Sequence, residues 1–274
     1  MTRLALLQMT SGVDPAANAR IVTDAIAEAA AGGATMLFTP EMTGLVDRDR
    51  ARAASVLRSE ADDLVLAAAR DAAAAHGIWL HLGSLALKLP DGKLANRGFV
   101  IDADGAIRAR YDKLHLFDVD LPTGESWRES ASYTAGEGAV VVDTPLGALG
   151  LSICYDLRFA ALYAALSAGG ATILSIPAAF TQPTGAAHWH LLQRARAVES
   201  AAFVVAAAQT GTHEDGRATY GHSLVVDPWG EVLLDMGTEP GVGFANIDPA
   251  RVADVRARVP VLAHRRAIPD VARA

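Results

Sequence analysis

The chain has 274 residues, of which 51% are hydrophobic and 20% charged, and its formal net charge at pH 7 is −7. This length allows a large buried core, and the composition is not that of a disordered or fibrous protein. The acidic balance argues against a nucleic-acid partner, which would need a basic face. Cys154 is the only cysteine, so an internal disulfide is excluded, which fits a reducing compartment and a cytoplasmic location.

The N-terminal stretch MTRLALLQMT is interpreted as a first strand rather than as a signal peptide. Its apolar run is interrupted by Gln8, and it contains no small-residue cleavage site. No uncharged apolar stretch of the chain reaches the roughly 18–20 residues that a membrane-spanning helix needs. We therefore expect a soluble protein with no membrane partner.

Strand-like apolar runs alternate with alanine-rich segments of helical periodicity along the chain. The predicted strands cover 4–9, 35–40, 78–87, 98–102, 140–143, 148–153, 172–177, 203–209, 223–227, 232–234 and 243–247, and the predicted helices cover 15–31, 59–76, 159–168 and 186–200. The stretches PDG, DADG and DPWG between predicted strands are typical of hairpin turns, because Asp and Gly supply the required backbone angles. The pattern predicts an α/β fold with mixed parallel and antiparallel sheets, in one domain over 1–274.

Three polar side chains lie at the ends of such runs or in stretches of mixed polarity. Glu41 lies in TMLFTPEMTG, Lys113 in ARYDKLHLFD and Cys154 in GLSICYDLRF. In open α/β sheets, chemistry collects beyond the carboxyl ends of the strands. A thiol needs a base or a positive neighbour to form a thiolate, and a helix that begins near Asp156 would direct its positive dipole end at Cys154. Taken singly, however, Glu41 and Lys113 also fit surface charges and Cys154 fits a buried core residue.

These stretches resemble the motifs of the nitrilase superfamily of carbon–nitrogen hydrolases: TPEMTG the glutamate motif, YDKLHLFDVDLP the lysine motif and GLSICYDLRF the cysteine motif. The resemblance continues through RES, TGAAHWHLLQRARAVES, VVAAAQTG, YGHSLVVDPWGEV and HRR, from about residue 4 to residue 266. It implies that Glu41 is the general base, Lys113 the oxyanion stabiliser and Cys154 the nucleophile. It also implies that Glu129 holds the lysine and that the backbone N–H of Tyr155 is the second oxyanion donor.

The resemblance further implies a four-layer αββα sandwich of two packed sheets, which family members usually assemble into a homodimer or a larger oligomer. It implies no metal and no organic cofactor. The chain departs from the family at one place: relatives commonly have Pro-Glu where CYDLRFAALY has Ala160 and Ala161. That change puts the stability of the following helix in doubt, since proline favours the first helical position and glutamate the first turn.

Several other residues have weaker assignments. By resemblance, Phe180, His188 and Arg158 are candidates for a substrate pocket. His188 and His190 point about 200° apart on a helix, which suits joint metal ligation poorly. His222 is interpreted as a structural histidine. The pair Arg265-Arg266 either binds a substrate carboxylate or is structural or solvent-facing, and the second interpretation is preferred.

Within the superfamily, HLFDVDLP, TGAAHW, VVAAAQTG and GHSLVVDPWGEV look most like the branch of deaminated-glutathione amidases and ω-amidases. This resemblance implies hydrolysis of an amide in a small carboxylate-bearing substrate through a cysteine thioester, with deaminated glutathione favoured. The alternatives are an ω-amidase that releases ammonia from 2-oxoglutaramate or 2-oxosuccinamate, an aliphatic amidase or nitrilase, and a non-catalytic interaction protein. A papain-like peptidase with a histidine base fits poorly, since the chain has no paired Cys-His motif.

Overall fold

The computed structural model describes residues 1–120, 124 and 126–273. The last two residues of the lysine motif, Leu121 and Pro122, therefore lie outside the described residues. The strands are β1 (Thr2–Gln8), β2 (Met36–Phe38), β3 (Trp79–Lys88), β4 (Leu94–Ile101), β5 (Ile107–Asp112), β6 (Asp118–Asp120), β7 (Ser126–Arg128), β8 (Val141–Thr144), β9 (Gly147–Leu151), β10 (Ile173–Ser175), β11 (Phe203–Ala206), β12 (Thr210–Thr212), β13 (Ala218–Tyr220), β14 (Leu224–Val226), β15 (Val232–Asp235) and β16 (Gly241–Ile247). The α-helices are α1 (Pro15–Ala31), α2 (Arg50–Val56), α3 (Leu64–His76), α4 (Ala160–Ala168), α5 (Gln182–Ser200) and α6 (Ala250–Arg258).

The first six-stranded sheet has the order β16-β1-β2-β3-β4-β5. Strands β1, β2 and β3 are parallel, β4 is antiparallel to β3, and β5 is antiparallel to β4. Strand β5 therefore runs in the same direction as β2, so that both strands end at the same edge of the sheet. This edge carries the residues that follow the two strands.

The second six-stranded sheet has the order β15-β14-β11-β10-β9-β8. Its three central strands, β9, β10 and β11, are parallel. Their carboxyl ends also share one edge, and isolated bridges join Met9 to Gln209 and Ala178 to Ala208 beyond the strands. The Met9–Gln209 bridge joins the end of β1 to the region after β11 and so brings the strand ends of the second sheet next to those of the first, while the Ala178–Ala208 bridge extends the pairing of β10 with β11.

Alternation along β1 shows how the two sheets pack. Leu4 and Leu6 belong to the core cluster that also holds the buried residues of the second sheet and of α4 and α5. Ala5 and Leu7 belong to the cluster formed with α1 and α3. Because successive side chains of a strand point to opposite faces, the first sheet is covered by helices on one face and by the second sheet on the other. The layers are thus helices, sheet, sheet, helices.

The prediction from periodicity missed seven elements: the helices α2 and α6, the edge strand β5 and the short strands β6, β7, β12 and β13. Strand β5 reads IRARYD, in which exposed charged residues alternate with more buried ones, as expected for an edge strand with one wet face. The predicted helix 59–76 begins at Leu64, where the side chain of Asp63 caps it by accepting a hydrogen bond from the Leu66 N–H at 2.8 Å. The predicted helix 186–200 begins earlier, at Gln182, with a proline in its first turn.

Within the ranges that the model describes, no helix is both long enough and apolar enough to cross a bilayer.

Candidate active site

Glu41, Lys113 and Cys154 meet at the shared edge of the two sheets; we call these three residues the Glu–Lys–Cys cluster. Glu41 follows β2, Lys113 follows β5 and Cys154 follows β9. The three residues are buried. The ammonium of Lys113 donates a hydrogen bond to Glu41 Oε1 at 2.9 Å, and the Cys154 thiol lies beside the Glu41 carboxylate, close enough that each group shifts the pKa of the other. The residues that sequence spacing alone could not place together are therefore in contact.

The carboxylate of Glu41 is held in place from several sides. Its Oε1 also accepts from Asn96 Nδ2 at 2.9 Å, and its Oε2 accepts from the Ala179 N–H at 3.0 Å. Gln209 Nε2 donates to the backbone carbonyl of Glu41 at 3.0 Å. The chain that leads from β2 to Glu41 packs tightly against residue 83 of β3, and only glycine fits there. A Cβ at residue 83 would lie 2.1 Å from the carbonyl oxygen of Thr39. The position of the Glu41 carboxylate therefore depends on hydrogen bonds from both sheets.

Lys113 lies between two carboxylates. Besides its contact with Glu41, its Nζ donates to Glu129 Oε2 at 2.8 Å. Glu129 Oε2 also accepts from the Phe117 N–H at 2.7 Å, and Glu129 Oε1 accepts from Asn96 Nδ2 at 3.1 Å. Asn96 therefore bridges the two carboxylates, and the lysine side chain is held by charge-assisted hydrogen bonds on both sides.

Cys154 has a backbone φ of +49°, which is unusual for a residue with a side chain. Its N–H donates to the Pro177 carbonyl at 2.9 Å. The residues that follow form a short 3-10 helix over Cys154–Arg158, and α4 begins only at Ala160. The prediction of an α-helix starting near Asp156, with its dipole directed at the thiol, is therefore wrong.

The buried carboxylate of Asp156 explains why the chain turns sharply here. Its Oδ2 accepts from the Ile153 N–H at 2.9 Å and from the Tyr111 hydroxyl at 2.7 Å, and its Oδ1 accepts from the His115 N–H at 3.0 Å. These bonds hold the 3-10 turn against the first sheet. Helix α4 forms after it with no side-chain cap and no acidic residue in its first turn, as the alanines at its start predict.

Burial and ion pairing together shift the pKa values of the cluster. Burial raises the pKa of Glu41, but Lys113 and hydrogen bonds outweigh it, so that this pKa lies below its ordinary value. Burial alone would lower the pKa of Lys113, but the carboxylates of Glu129 and Glu41 raise it by more, so that this pKa lies well above its ordinary value. For Cys154, burial and the Glu41 carboxylate raise the thiol pKa well above its usual range. At neutral pH the cluster therefore contains a carboxylate, an ammonium and a neutral thiol.

A cavity of about 720 Å³ opens over the cluster, a size that suits a small organic ligand. Tyr155, Arg158 and Phe180 line it. The guanidinium of Arg158 lies 5.3 Å from the centre of the Phe180 ring and 6.0 Å from that of Tyr155. His188 is not among the lining residues; it is exposed and contacts Arg158 from outside, with 3.2 Å between Nδ1 and Nη1.

Comparison with protein families decides the assignment of this site. The model of the carbon-nitrogen hydrolase family matches residues 3–257. The chain belongs to the carbon–nitrogen hydrolase family. The resemblance to the nitrilase superfamily that the motifs indicated is thereby confirmed, and it covers the three strand ends that carry the cluster.

Similar proteins agree with this family. The chain is 42% identical over 273 residues to the NitFhit fusion protein of Caenorhabditis elegans, which covers 96% of this chain and 60% of that protein. It is 38% identical over 270 residues to the deaminated glutathione amidase of Yersinia enterocolitica, covering 96% and 92%. It is 40% identical over 273 residues to the Homo sapiens deaminated glutathione amidase, covering 98% and 83%. The expectation of a hydrolase that acts on amides is confirmed.

Solved structures agree with the fold. The C. elegans NitFhit structure has a TM-score of 0.90 at 41% identity, covering 97% of this chain and 65% of that chain. Nit3 of Saccharomyces cerevisiae has a TM-score of 0.86 at 28% identity, covering 97% of both chains. A mutant amidase of Nesterenkonia sp. AN1, with acrylamide added at its active-site cysteine, has a TM-score of 0.78 at 28% identity, covering 95% and 98%. The expectation of a four-layer nitrilase-type sandwich is confirmed.

The two histidines of HWH have different partners in this hydrolase. While His188 contacts Arg158, His190 Nε2 lies 3.0 Å from Asp235 Oδ2, and His222 Nδ1 lies 2.9 Å from Asp235 Oδ1. The ligand atoms of His190, His222 and Asp235 lie within 4.8 Å of one another. This grouping comes from three separate elements, so the spacing of the histidines in the sequence could not reveal it.

Arg265 contacts backbone rather than a site. Its Nη1 donates to the carbonyl of Ala164 at 2.8 Å and its Nη2 to that of Glu199 at 3.2 Å. Arg266 is exposed. Neither arginine is among the residues that line the cavity, which agrees with the preferred interpretation of this pair as structural or solvent-facing.

Asn96 and Gln209 both hold the hydrolase's Glu41, although no motif in the sequence pointed to them. Each is a fully buried amide in or after an apolar strand. A buried amide must find hydrogen-bond partners, so an Asn or Gln inside an otherwise apolar run is the signal that could have drawn attention to them. What the sequence could not indicate is that the partner of both residues is the same glutamate.

Proposed function

We propose that the protein hydrolyses an amide bond of a small carboxylate-bearing substrate, with Cys154 as nucleophile. The observation that carries the proposal is the contact of Cys154 with the Glu41 carboxylate beside the Lys113 ammonium, at the base of a cavity. A neutral thiol beside an ionised carboxylate is a nucleophile with its base already in place. A lysine next to both offers a positive charge where an oxyanion would develop.

The reaction follows from these positions. Glu41 removes the thiol proton while the sulfur attacks the amide carbon, and Lys113 and the Tyr155 N–H stabilise the oxyanion. Glu41 then returns the proton to the departing amine as the C–N bond breaks, which leaves a thioester on Cys154. A water molecule, deprotonated by Glu41, attacks the thioester, and the products are a carboxylate and the free thiol. Glu129 positions Lys113 through the 2.8 Å contact.

Deaminated glutathione is the substrate that we favour. Relatives that are 38–48% identical to this chain are named for that activity. Arg158 lines the cavity close to the nucleophile, and a guanidinium binds a carboxylate through charge-assisted hydrogen bonds. Arg158 could bind the substrate of an ω-amidase in the same way, because 2-oxoglutaramate has the same carboxylate as the acyl half of deaminated glutathione. The ω-amidase activity is therefore the second candidate.

Comparing substrates separates the candidates. We expect purified protein to hydrolyse deaminated glutathione with the highest kcat/KM, 2-oxoglutaramate more slowly and a simple aliphatic amide least, because a remote carboxylate anchors the reacting carbonyl at the thiol. The released dipeptide is measured for the first substrate and ammonia for the other two. Equal or faster turnover of the aliphatic amide would exclude carboxylate anchoring and indicate an aliphatic amidase.

We also propose a homodimer in the cytoplasm. A reducing compartment would keep the lone Cys154 in its thiol form. On α5, Leu191 and Val198 lie two turns apart and are 67% and 49% exposed, while Trp229 is 55% exposed. Arg194, between these two residues on α5, donates to the Gly230 carbonyl at 2.8 Å and so joins the helix to the turn that carries Trp229. Exposed apolar side chains on one helix and the adjoining turn fit a self-complementary contact.

Light scattering tests the dimer. The wild-type protein at micromolar concentration is expected to have twice the mass of the 28.6 kDa chain, or a higher even multiple. Replacing both Leu191 and Val198 with glutamate would place like charges across a two-fold contact and should yield monomers. The matched control places the two glutamates at Ala16 and Arg20, exposed positions of α1 far from the patch. A monomeric wild type would contradict the proposal.

A further inference from the structure

The cavity extends to a second group of cationic side chains, at a distance from Arg158. Arg48, Trp127 and Arg217 line this part. The guanidinium of Arg217 lies 4.8 Å from the centre of the Trp127 ring, and that of Arg48 lies 5.9 Å from it. We call Arg48 and Arg217 the distal arginine pair. Neither residue takes part in the reaction steps above.

Two donors in this group lack a partner. Nε1 of Trp127 and Nε of Arg217 are buried and have no hydrogen-bond acceptor among the residues that the structure describes. Buried donors are nearly always satisfied in folded proteins, and an unpaired one costs free energy. Because Trp127 and Arg217 both line the cavity, an acceptor supplied by a ligand would satisfy these donors once a side-chain rotation exposes them.

Among the charged residues that line this part of the cavity, the arginines outnumber the carboxylates. Asp215 is near both members of the pair, with its Oδ2 3.1 Å from Arg217 and 3.8 Å from Arg48. Asp47 also lines the cavity, but it forms a bidentate pair with Arg52. Asp215 thus faces two arginines while Asp47 is neutralised by a third. An anion is the ligand that this excess favours.

A wall of aromatic rings separates the distal arginine pair from the nucleophile. Tyr155, the residue after Cys154, packs edge-on against Phe117 with 5.1 Å between ring centres, and Phe117 lies 6.4 Å from Trp127. Arg158 contacts Tyr155 directly, whereas Arg217 contacts Trp127, two rings further along. The cavity therefore has a cation close to the thiol and a second cationic group farther away.

We propose that the distal arginine pair binds a carboxylate on the amine half of the substrate, the half that leaves when the C–N bond breaks. The inference rests on the proposed function. Arg158 would bind the carboxylate of the acyl half, which the thioester retains. A rotation of the partly exposed Arg217 side chain would bring its unpaired Nε to the second carboxylate. The protein would then select internal amides that join two carboxylate-bearing halves over terminal carboxamides.

Binding to the Cys154→Ala variant tests this without turnover. Calorimetry would give the Kd of deaminated glutathione and of its C-terminal carboxamide, in which a neutral amide replaces the carboxylate of the dipeptide half. We expect the carboxamide to bind about 10- to 100-fold more weakly, since hydrogen bonds between charged groups are lost. Adding Arg217→Met should weaken binding of deaminated glutathione by a similar factor and leave the carboxamide almost unchanged. Arg48→Met should act in the same direction.

Turnover and a matched control complete the test. In the active enzyme, Arg217→Met should lower kcat/KM for deaminated glutathione at least about tenfold and leave 2-oxoglutaramate, which lacks an amine half, unaffected. Arg20→Met removes the same charge from an exposed residue of α1 that does not line the cavity and should change neither. Equal binding of the two ligands, or an equal loss on both substrates in Arg217→Met, would overturn the inference. Carboxylate-dependent binding without any turnover would instead contradict the proposed function alone.

Discussion

Cys154→Ser is expected to abolish amide hydrolysis and leave the fold intact. A hydroxyl is far less acidic than a thiol, and Glu41, whose pKa lies below its ordinary value, is too weak a base to activate it. We expect kcat/KM to fall by at least about three orders of magnitude. Product release from deaminated glutathione measures the loss, and the melting temperature should stay close to that of wild type, because serine is nearly the same size as cysteine.

The single cysteine makes the control simple. Since Cys154 is the only thiol in the chain, alkylation of the wild type should add one label by intact mass and remove activity in parallel, while Cys154→Ser should take up none. Turnover by the serine variant within about tenfold of wild type would show that another group attacks the amide. Labelled protein that keeps its activity would lead to the same conclusion.

Lys113→Met is the second change for which we expect a large effect. Loss of an oxyanion donor costs about 3–4 kcal/mol in the transition state, so activity should fall by roughly two or more orders of magnitude. The structure adds a consequence for stability. Lys113 is buried between Glu41 and Glu129, and removing it leaves two like charges close together, which typically costs about 3–5 kcal/mol for a buried pair.

The pH dependence of this cost follows from the two carboxyl groups. Without Lys113, burial and the nearby Glu129 carboxylate raise the folded-state pKa of Glu41 above the unfolded value near 4.5. The folded variant then binds more protons than the unfolded chain, so its stability falls as pH rises above about 4.5. Wild-type Glu41 has the opposite shift, and its contribution to stability is lost as pH falls. The stability difference between wild type and variant should therefore be large at pH 8 and shrink toward pH 4.5.

A double variant separates the catalytic from the structural effect of the lysine. Lys113→Met with Glu129→Gln removes one of the two repelling carboxylates, so that the free energy of unfolding, measured by urea denaturation, should recover in part at pH 8. Activity should not recover, because the positive charge beside the oxyanion is still missing. Recovery of both would show that Lys113 acts only by maintaining the fold around Glu41.

The sequence predicted best those strands and helices whose pattern arises from residues that are neighbours in the chain. The apolar run of β1 and the helical periodicity of residues 15–31 predicted these elements, and helix α1 has the predicted bounds. The prediction failed where local signals are weak. The edge strand β5 was missed although Lys113 follows it, and the turn after Cys154 was expected to be an α-helix. The buried carboxylate of Asp156 decides that turn through partners from the first sheet.

By itself, the sequence determined the mixed α/β class through its apolar periodicity. Its contiguous motifs determined the family, whose resemblance implied the two packed sheets, and the three chemically active residue types. Periodicity and motifs are local properties of the chain. Only the tertiary structure decided which groups act on one another. Asn96 bridges Glu41 and Glu129 across 55 and 33 positions of the chain, and Gln209 reaches Glu41 across 168. Arg48 and Arg217 lie on the same tryptophan ring. Such pairings arise from the packing of distant strand ends at one edge, where hydrogen bonds and charges act over a few ångströms of space regardless of separation along the chain.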